Sequence, residues 1–429
     1  MYLFIVRRYN DIDHIAPIVW KMAESGDGPL AVLCTTPHYD VDGDFRLRHL
    51  AERYGVRHGH AGAESACSIG HRLVNRALER MRRTGNTNGA LWRNLVRRQM
   101  DYCTADWARR LLEEWDVKTI VFDWCKPDGR LAAPIVESAV ALGIPMLAVP
   151  HGVNYMTNDL RSTKAVKSGI PALWGEYLRR MDHVVVQHRR HGEWMVRSGV
   201  EVEKILVMGS TRFCGEWCAV YNRIVPPVPV LSQARGDGRL RIVYMDHNEV
   251  YRLDVEAIDD GLLALAERED VDLAIKSGAA HNRYRYPRLR ALGEQGDAMH
   301  SNALIDWADV VMGTTSSILL EAFLRGKALL YPRYFHENGQ LFDEMGACLP
   351  VDNLEQLMAA VSRLHNAPDV LPYPETNVTA FLTEVIYGGK PDRDVLGEHR
   401  EAVIAAAEGR LFQGANWEPV FHRLAAAGE

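Results

Sequence analysis

The chain reads as an α/β protein built in two parallel-sheet halves, and three observations predict this. Short apolar runs of strand length alternate with amphipathic helical stretches, once before residue 210 and again after about residue 240. The run at 309–331, DVVMGTTSSILLEAFLRGKALLY, reads as strand, tight turn, helix and strand, the repeating unit of a parallel sheet. Between the halves lies a proline- and glycine-rich segment at 224–238, IVPPVPVLSQARGDG, the best linker in the chain. The domain expectation is therefore 1–225, a linker at 226–238, a second domain at 239–375 and C-terminal helices at 376–429 that pack back on the first domain.

Composition bounds the function classes. The chain has 429 residues, a formal charge of -6 and 47% hydrophobic residues, enough for two or three cores. Mild acidity argues against a general nucleic-acid binder. Seven cysteines without CxxC spacing read as buried thiols in a reducing compartment. The opening MYLFIVRRYNDIDH turns polar too soon for a signal peptide, and no run reaches the ~18 apolar residues of a membrane span. The expected location is the cytoplasm.

In chain order, strands are expected at 2–6 and 30–34 with a helix at 12–25 between them, capped by Asp11 or Asp13. Their junction, RRYNDID, lacks the GxGxxG of dinucleotide sites. Helices follow at 45–54 and 69–83, then one long amphipathic segment at 90–115. Arg72, Arg76, Arg80, Arg82, Arg83, Arg93, Arg97 and Arg98 crowd the last two. They form either a solvated face or a basic surface for an anionic acceptor or anionic lipid heads, the latter implying peripheral membrane contact. Strands at 119–122, 145–149, 184–186 and 205–208 complete the first half. In the second half, strands are expected at 240–244, 272–276, 309–312 and 328–331. Helices are expected at 255–268, 301–307, 354–364, 377–387 and 399–408. Ser316 or Ser317 would open the helix that stops at Gly326.

Two such domains with polar strand ends imply a cleft between them, and the candidate residues stand at those ends. The four hydroxyls of Thr314, Thr315, Ser316 and Ser317 beside a helix start suit phosphate, with Glu321 a turn later to accept from ribose hydroxyls. Simple helix capping is the competing account. Arg212 and Lys276 would neutralise a diphosphate. His151, at the end of the 145–149 strand, would act as a base or donate to a developing oxyanion, or else hold its own loop. His247 is a weaker case of the same kind. Asp13 is either a helix cap or the base that takes an acceptor proton. No HExxH, Walker A lysine or GxSxG motif is present, so neither a metal nor a resident cofactor is expected.

Several of these residues carry a resemblance. The His151-Gly152 pair, the turn Gly209-Ser210-Thr211-Arg212, and Ala308-Asp309-Val310-Val311 followed by Ser316-Ser317, Glu321 and Lys327-Ala328-Leu329 resemble the capsule and teichoic-acid transferases. That superfamily of GT-B glycosyltransferases includes CDP-glycerol glycerophosphotransferases and Kdo-transferring capsule enzymes. Thr211 and Ala328 stand where the family pattern has proline. The resemblance covers about 115–350. It implies two Rossmann-like domains facing across a cleft, nucleotide in the second, acceptor in the first, and His151 in catalysis. Nucleotide-sugar epimerases share much of the second-domain pattern.

The expected function is transfer of a sugar or polyol phosphate from a CMP-, CDP- or UDP-linked donor to a saccharide or lipid-linked hydroxyl acceptor in surface-polysaccharide synthesis. A nucleotide-sugar epimerase and a non-catalytic scaffold subunit of a polysaccharide assembly are the alternatives.

Overall fold

A computed structural model describes residues 1–124, 131–150, 152–157, 178–226, 238–247, 252–277 and 286–410. It divides into two compact units. Unit 1 comprises Met1–Val153, Pro171–Val225 and Ile386–Glu429, and unit 2 comprises Asn154–Ile170 and Pro226–Val385.

Unit 1 holds a seven-stranded parallel sheet. Its strands are β1 (Tyr2–Val6), β2 (Leu30–Cys34), β3 (Arg57–His60), β4 (Thr119–Asp123), β5 (Met146–Val149), β6 (His183–Val186) and β7 (Ile205–Val207), in the order β3-β2-β1-β4-β5-β6-β7. Central runs such as LAVLC, TIVFD and MLAV are buried along their whole length, because helices cover both faces of a parallel sheet. Unit 2 holds five parallel strands, β8 (Leu240–Met245), β9 (Val271–Lys276), β10 (Val310–Gly313), β11 (Ala328–Pro332) and β12 (Leu349–Val351), in the order β12-β11-β10-β8-β9. The α/β class with two Rossmann-like sheets is thus observed.

Both sheets reverse their winding once. In unit 1 the chain builds outward from β1 to β3, then returns to β4 on the other side of β1. In unit 2 it passes from β8 to β9, then returns to β10 on the other side of β8. Open α/β sheets bind ligands outside the carboxyl ends of the strands at such a reversal. The residues after β1, β4, β8 and β10 are therefore the ones to inspect.

Three local differences from the sequence reading have physical causes. The first helix runs Tyr9–Glu24 with Arg8 as its N-cap, so Asp11 caps it from inside the first turn by accepting from the Arg8 N–H, and Asp13, two residues further, does not cap it. The predicted 90–115 helix is two helices, Ala90–Tyr102 and Ala105–Glu114, because Cys103 leaves helical geometry and Thr104 starts the second. Residues 154–157, expected in the first domain, pair in unit 2: Leu341 donates to the Tyr155 carbonyl at 2.7 Å and Thr157 to that of Gly339 at 3.0 Å.

Within unit 1 the helix Val395–Ala407 is tied to the first helical layer. Arg400 pairs with Asp27, and His399, wholly buried, donates from Nδ1 to the Val395 carbonyl at 2.7 Å. Burial pulls the His399 pKa down to about 4, so this ring is neutral near pH 7. No helix among the described residues is long and apolar enough to cross a membrane.

Candidate functional site

The reversal in unit 2 gathers most of the sequence candidates. Met245 lies beside both Gly313 and Lys276 in the sheet, so the residues following β8, β9 and β10 share one edge: Asp246 and His247, Lys276 and Ser277, and the turn at 314–318. The helix after that turn is shorter than expected. It starts at Leu319, not at Ser316 or Ser317, and ends at Leu324. Its first N–H groups are already used, since Leu319, Leu320 and Glu321 donate to the carbonyls of Ser316, Ser317 and Ile318 at 3.0–3.2 Å. The serine hydroxyls therefore do not cap it.

The turn itself is what lacks partners. Among the described residues, the backbone N–H groups of Thr315, Ser316, Ser317 and Ile318 make no hydrogen bond. The hydroxyls of Thr314 and Thr315 are buried and also have none. Buried polar groups are nearly always paired, and a run of successive unpaired N–H groups is the geometry that accepts an anion. The turn is held in place by Tyr155, whose hydroxyl donates to the Ser316 carbonyl. Glu321 is buried, with one carboxylate oxygen 3.5 Å from Arg325.

Lys276 does something different from the expectation. Its ammonium donates to the carbonyls of Gly296, Asp297 and Met299 at 3.4, 3.2 and 2.6 Å. It closes the carboxyl end of the helix Arg290–Asp297, where orphan carbonyls and the helix dipole favour a cation. Lys276→Gln is expected to cost about 1 kcal/mol of stability and leave nucleotide affinity within twofold, measured by thermal unfolding beside calorimetric titration. His247 follows Asp246, whose carboxylate accepts from the Tyr286 hydroxyl at 3.0 Å.

Sequence reasoning missed two side chains here. Gln340 is wholly buried, and neither amide atom finds a partner. It lies in the bridge that pairs it with Met156, next to the Tyr155 that anchors the turn. His336 accepts from the Asn338 N–H at 3.1 Å, and burial lowers its pKa to about 4. The polar run HENGQ straight after an apolar strand was the available signal, but its burial depends on residues 154–157.

At the reversal in unit 1, β1 and β4 bring Arg7 and Asp123 together. The Arg7 guanidinium donates to the buried Asp123 carboxylate at 3.1 Å through Nε and again through a terminal nitrogen. Asp11 accepts from the N–H groups of Arg7 at 2.8 Å and Arg8 at 3.1 Å, and its other oxygen is buried without a partner. Asp123 was legible only as a carboxylate ending an apolar strand.

Asp13 and Arg212 are brought together, but to each other. Asp13 is buried and accepts from Arg46 and, at 2.6 Å, from Arg212. A buried carboxylate held by two guanidiniums is an anchor whose oxygens are already engaged. Arg212 in turn is held by Asp13 and lies over the Phe213 ring at 4.7 Å. The rest of its turn also serves packing. Ser210 donates to the Ile386 carbonyl at 2.8 Å and Thr211 to that of His14 at 2.7 Å. Gly209 has φ +81, and a Cβ there would stand 2.2 Å from the Ile386 oxygen, which only glycine avoids. His151 lies outside the described residues. Its neighbour Gly152 accepts a 2.9 Å bond from the buried Gln187 amide.

No protein-family model matches the sequence, and no curated protein matches it. Solved structures do share the fold. A Listeria monocytogenes protein provisionally assigned as a UDP-N-acetylglucosamine 2-epimerase superposes with a TM-score of 0.56 at 11% identity, covering 96% of this chain and 97% of its own. The UDP-GlcNAc 2-epimerase from Neisseria meningitidis bound to UDP-GlcNAc gives 0.53 at 11% identity, covering 95% and 100%. That from Methanocaldococcus jannaschii in complex with UDP-GlcNAc and UDP gives 0.52 at 14%, covering 95% and 100%. At such identities the likeness establishes the fold.

Proposed function

We propose that this chain is an enzyme acting on a nucleotide-activated sugar, and that unit 2 grips the diphosphate at the 314–318 turn. The observation that carries the reading is the set of unpaired donors there: two buried hydroxyls and four backbone N–H groups beyond β10, at the winding reversal. A diphosphate supplies enough acceptor oxygens for them, and Glu321 stands one turn on for ribose hydroxyls. A UDP-linked donor is the first to test, before CDP and CMP.

Two reactions fit such a donor site. Epimerisation of the sugar is the first reading, because the structural relatives are named UDP-GlcNAc 2-epimerases and two carry UDP-GlcNAc. Transfer to a saccharide or lipid-linked hydroxyl is the second, on the strand-end His151-Gly152 pair. Asp13 and Arg212 are bound to each other and Asp123 is held by Arg7, so His151 is the group to test first for proton transfer in unit 1. The test begins with calorimetric titration of UDP, CDP and CMP. Each sugar nucleotide that binds is then incubated with and without an acceptor and followed by NMR. A product from donor alone supports epimerisation, and a product that requires acceptor supports transfer. Binding without any product points to the scaffold alternative. No binding of any of the three nucleotides overturns the donor site.

A further inference from the structure

The helices Ile69–Arg83 and Ala90–Tyr102 form a hairpin in unit 1 that the nucleotide reading leaves unused. Val74, Leu78 and Trp92 form its small core, and the His71 and Tyr102 rings stack at 5.0 Å across its base. The opposite face of the first helix carries Ile69, Leu73, Arg76, Arg80 and Arg83, spaced three and four residues apart, with Arg72 beside Leu73. All six are exposed.

Two features of that face are unusual together. The first is apolar. Ile69 is 68% exposed, Leu73 58% and, on the second helix, Leu91 63%, against a chain whose other large apolar residues are mostly buried. The second is charge. Residues 69–102 hold eight arginines, no lysine and two carboxylates, Glu79 and Asp101, for a net +6 in a chain of net -6. Arg82 alone of the first helix's arginines turns inward, donating to the Pro37 carbonyl at 3.2 Å.

We infer that this hairpin docks the protein on an anionic lipid bilayer. Ile69 and Leu73 enter the interfacial region, and the arginines around them bind lipid phosphates. Neither signal suffices alone, and stable interfacial binding takes an apolar contact plus a basic patch. A soluble polyanion would satisfy the arginines and leave Ile69 and Leu73 in water. A second copy of the hairpin would set two net-positive faces against each other.

The experiment floats the full-length protein with phosphatidylcholine vesicles and with vesicles containing one-third phosphatidylglycerol. The expected result is binding to the anionic vesicles alone. Arg76→Ser/Arg80→Ser should weaken it about fivefold per arginine, and Ile69→Ser/Leu73→Ser at least tenfold. Val140→Ser and Val370→Ser, at exposed valines on other surfaces, should bind as wild type. All these positions are exposed, so unchanged melting curves verify the fold. Equal binding to neutral vesicles, or none to either, overturns the inference. So does a loss confined to the arginine variants with dextran sulfate bound equally well, which assigns the face to a soluble polyanion. A dimer that Leu73→Ser dissolves also overturns it.

Discussion

Arg46→Ala should destabilise unit 1 by about 3–5 kcal/mol, the cost of leaving buried charge without its partner. Arg46 is fully buried. It donates to Asp44 at 3.1 and 2.6 Å, to Asp13, and to the Tyr9 carbonyl at 3.2 Å, while its guanidinium lies 4.0 Å over the Tyr9 ring. Without it, Asp13 keeps Arg212 as a charged partner, while Asp44 is left with the Tyr39 hydroxyl and the N–H groups of its own helix start. Burial works to raise the Asp44 pKa, but the bonds and charge from Arg46 outweigh it and hold the carboxyl below its ordinary value. A depressed carboxyl contributes stability that is complete above its unfolded pKa and is lost as pH falls through the lower folded value. Wild type should therefore keep this contribution down to about pH 4, whereas in Arg46→Ala burial is left to raise the Asp44 carboxyl, so the deficit should be largest near pH 7 and shrink as the pH falls. Thermal unfolding from pH 3 to 7 measures both effects. A change below 1 kcal/mol at pH 7 would show that water reaches these carboxylates. The paired variant Asp13→Asn/Arg46→Met should cost less than the two single changes added, because the groups act as one network.

That network shows where a sequence stops being legible. The strands were readable because a parallel sheet buried on both faces demands continuous apolar runs, and LFIV, LAVLC and TIVF have no other economical use. The helix bounds at 45–54, 69–83 and 301–307 were readable from periodicity and caps, since Asp44, Ser68 and His300 each cap the helix that follows. Elements without such signals escaped: the helix Gly215–Ile224, the helix Arg290–Asp297 and the short strand β12. Functional roles depend on who meets whom. Asp13 and Arg212 are 199 residues apart, and nothing local announces that they pair. Lys276 looked like a cation at a strand end because its three carbonyl partners lie in and just beyond the last turn of a helix whose position only the fold decides. The 314–318 turn was legible in composition, and its missing partners were not. Hydroxyls in a sequence do not tell whether they are capping a helix or waiting for a ligand.

Thr315→Val separates those two roles by sign. The change keeps the shape of the side chain and removes only the hydroxyl, which is buried and unpaired. If the hydroxyl's work is done in the ligand-free protein, as a cap, losing it should lower the melting temperature and leave affinity alone. The geometry says otherwise, because the helix starts at Leu319 and its first N–H groups bond to the turn's own carbonyls. An unpaired buried hydroxyl is a cost to the folded state, so replacing it with a methyl group should leave the melting temperature unchanged or raise it. Binding should move the opposite way. A hydrogen bond to a charged phosphate contributes roughly 1.5–3 kcal/mol, so UDP affinity should fall between about tenfold and a hundredfold. Thr315→Ser, which keeps the hydroxyl, should bind UDP within about threefold of wild type and melt lower for the lost methyl group. Calorimetric titration with UDP and a melting curve on the same samples read both quantities. A lower melting temperature with unchanged affinity in Thr315→Val would return the turn to a purely structural role and remove the diphosphate from it.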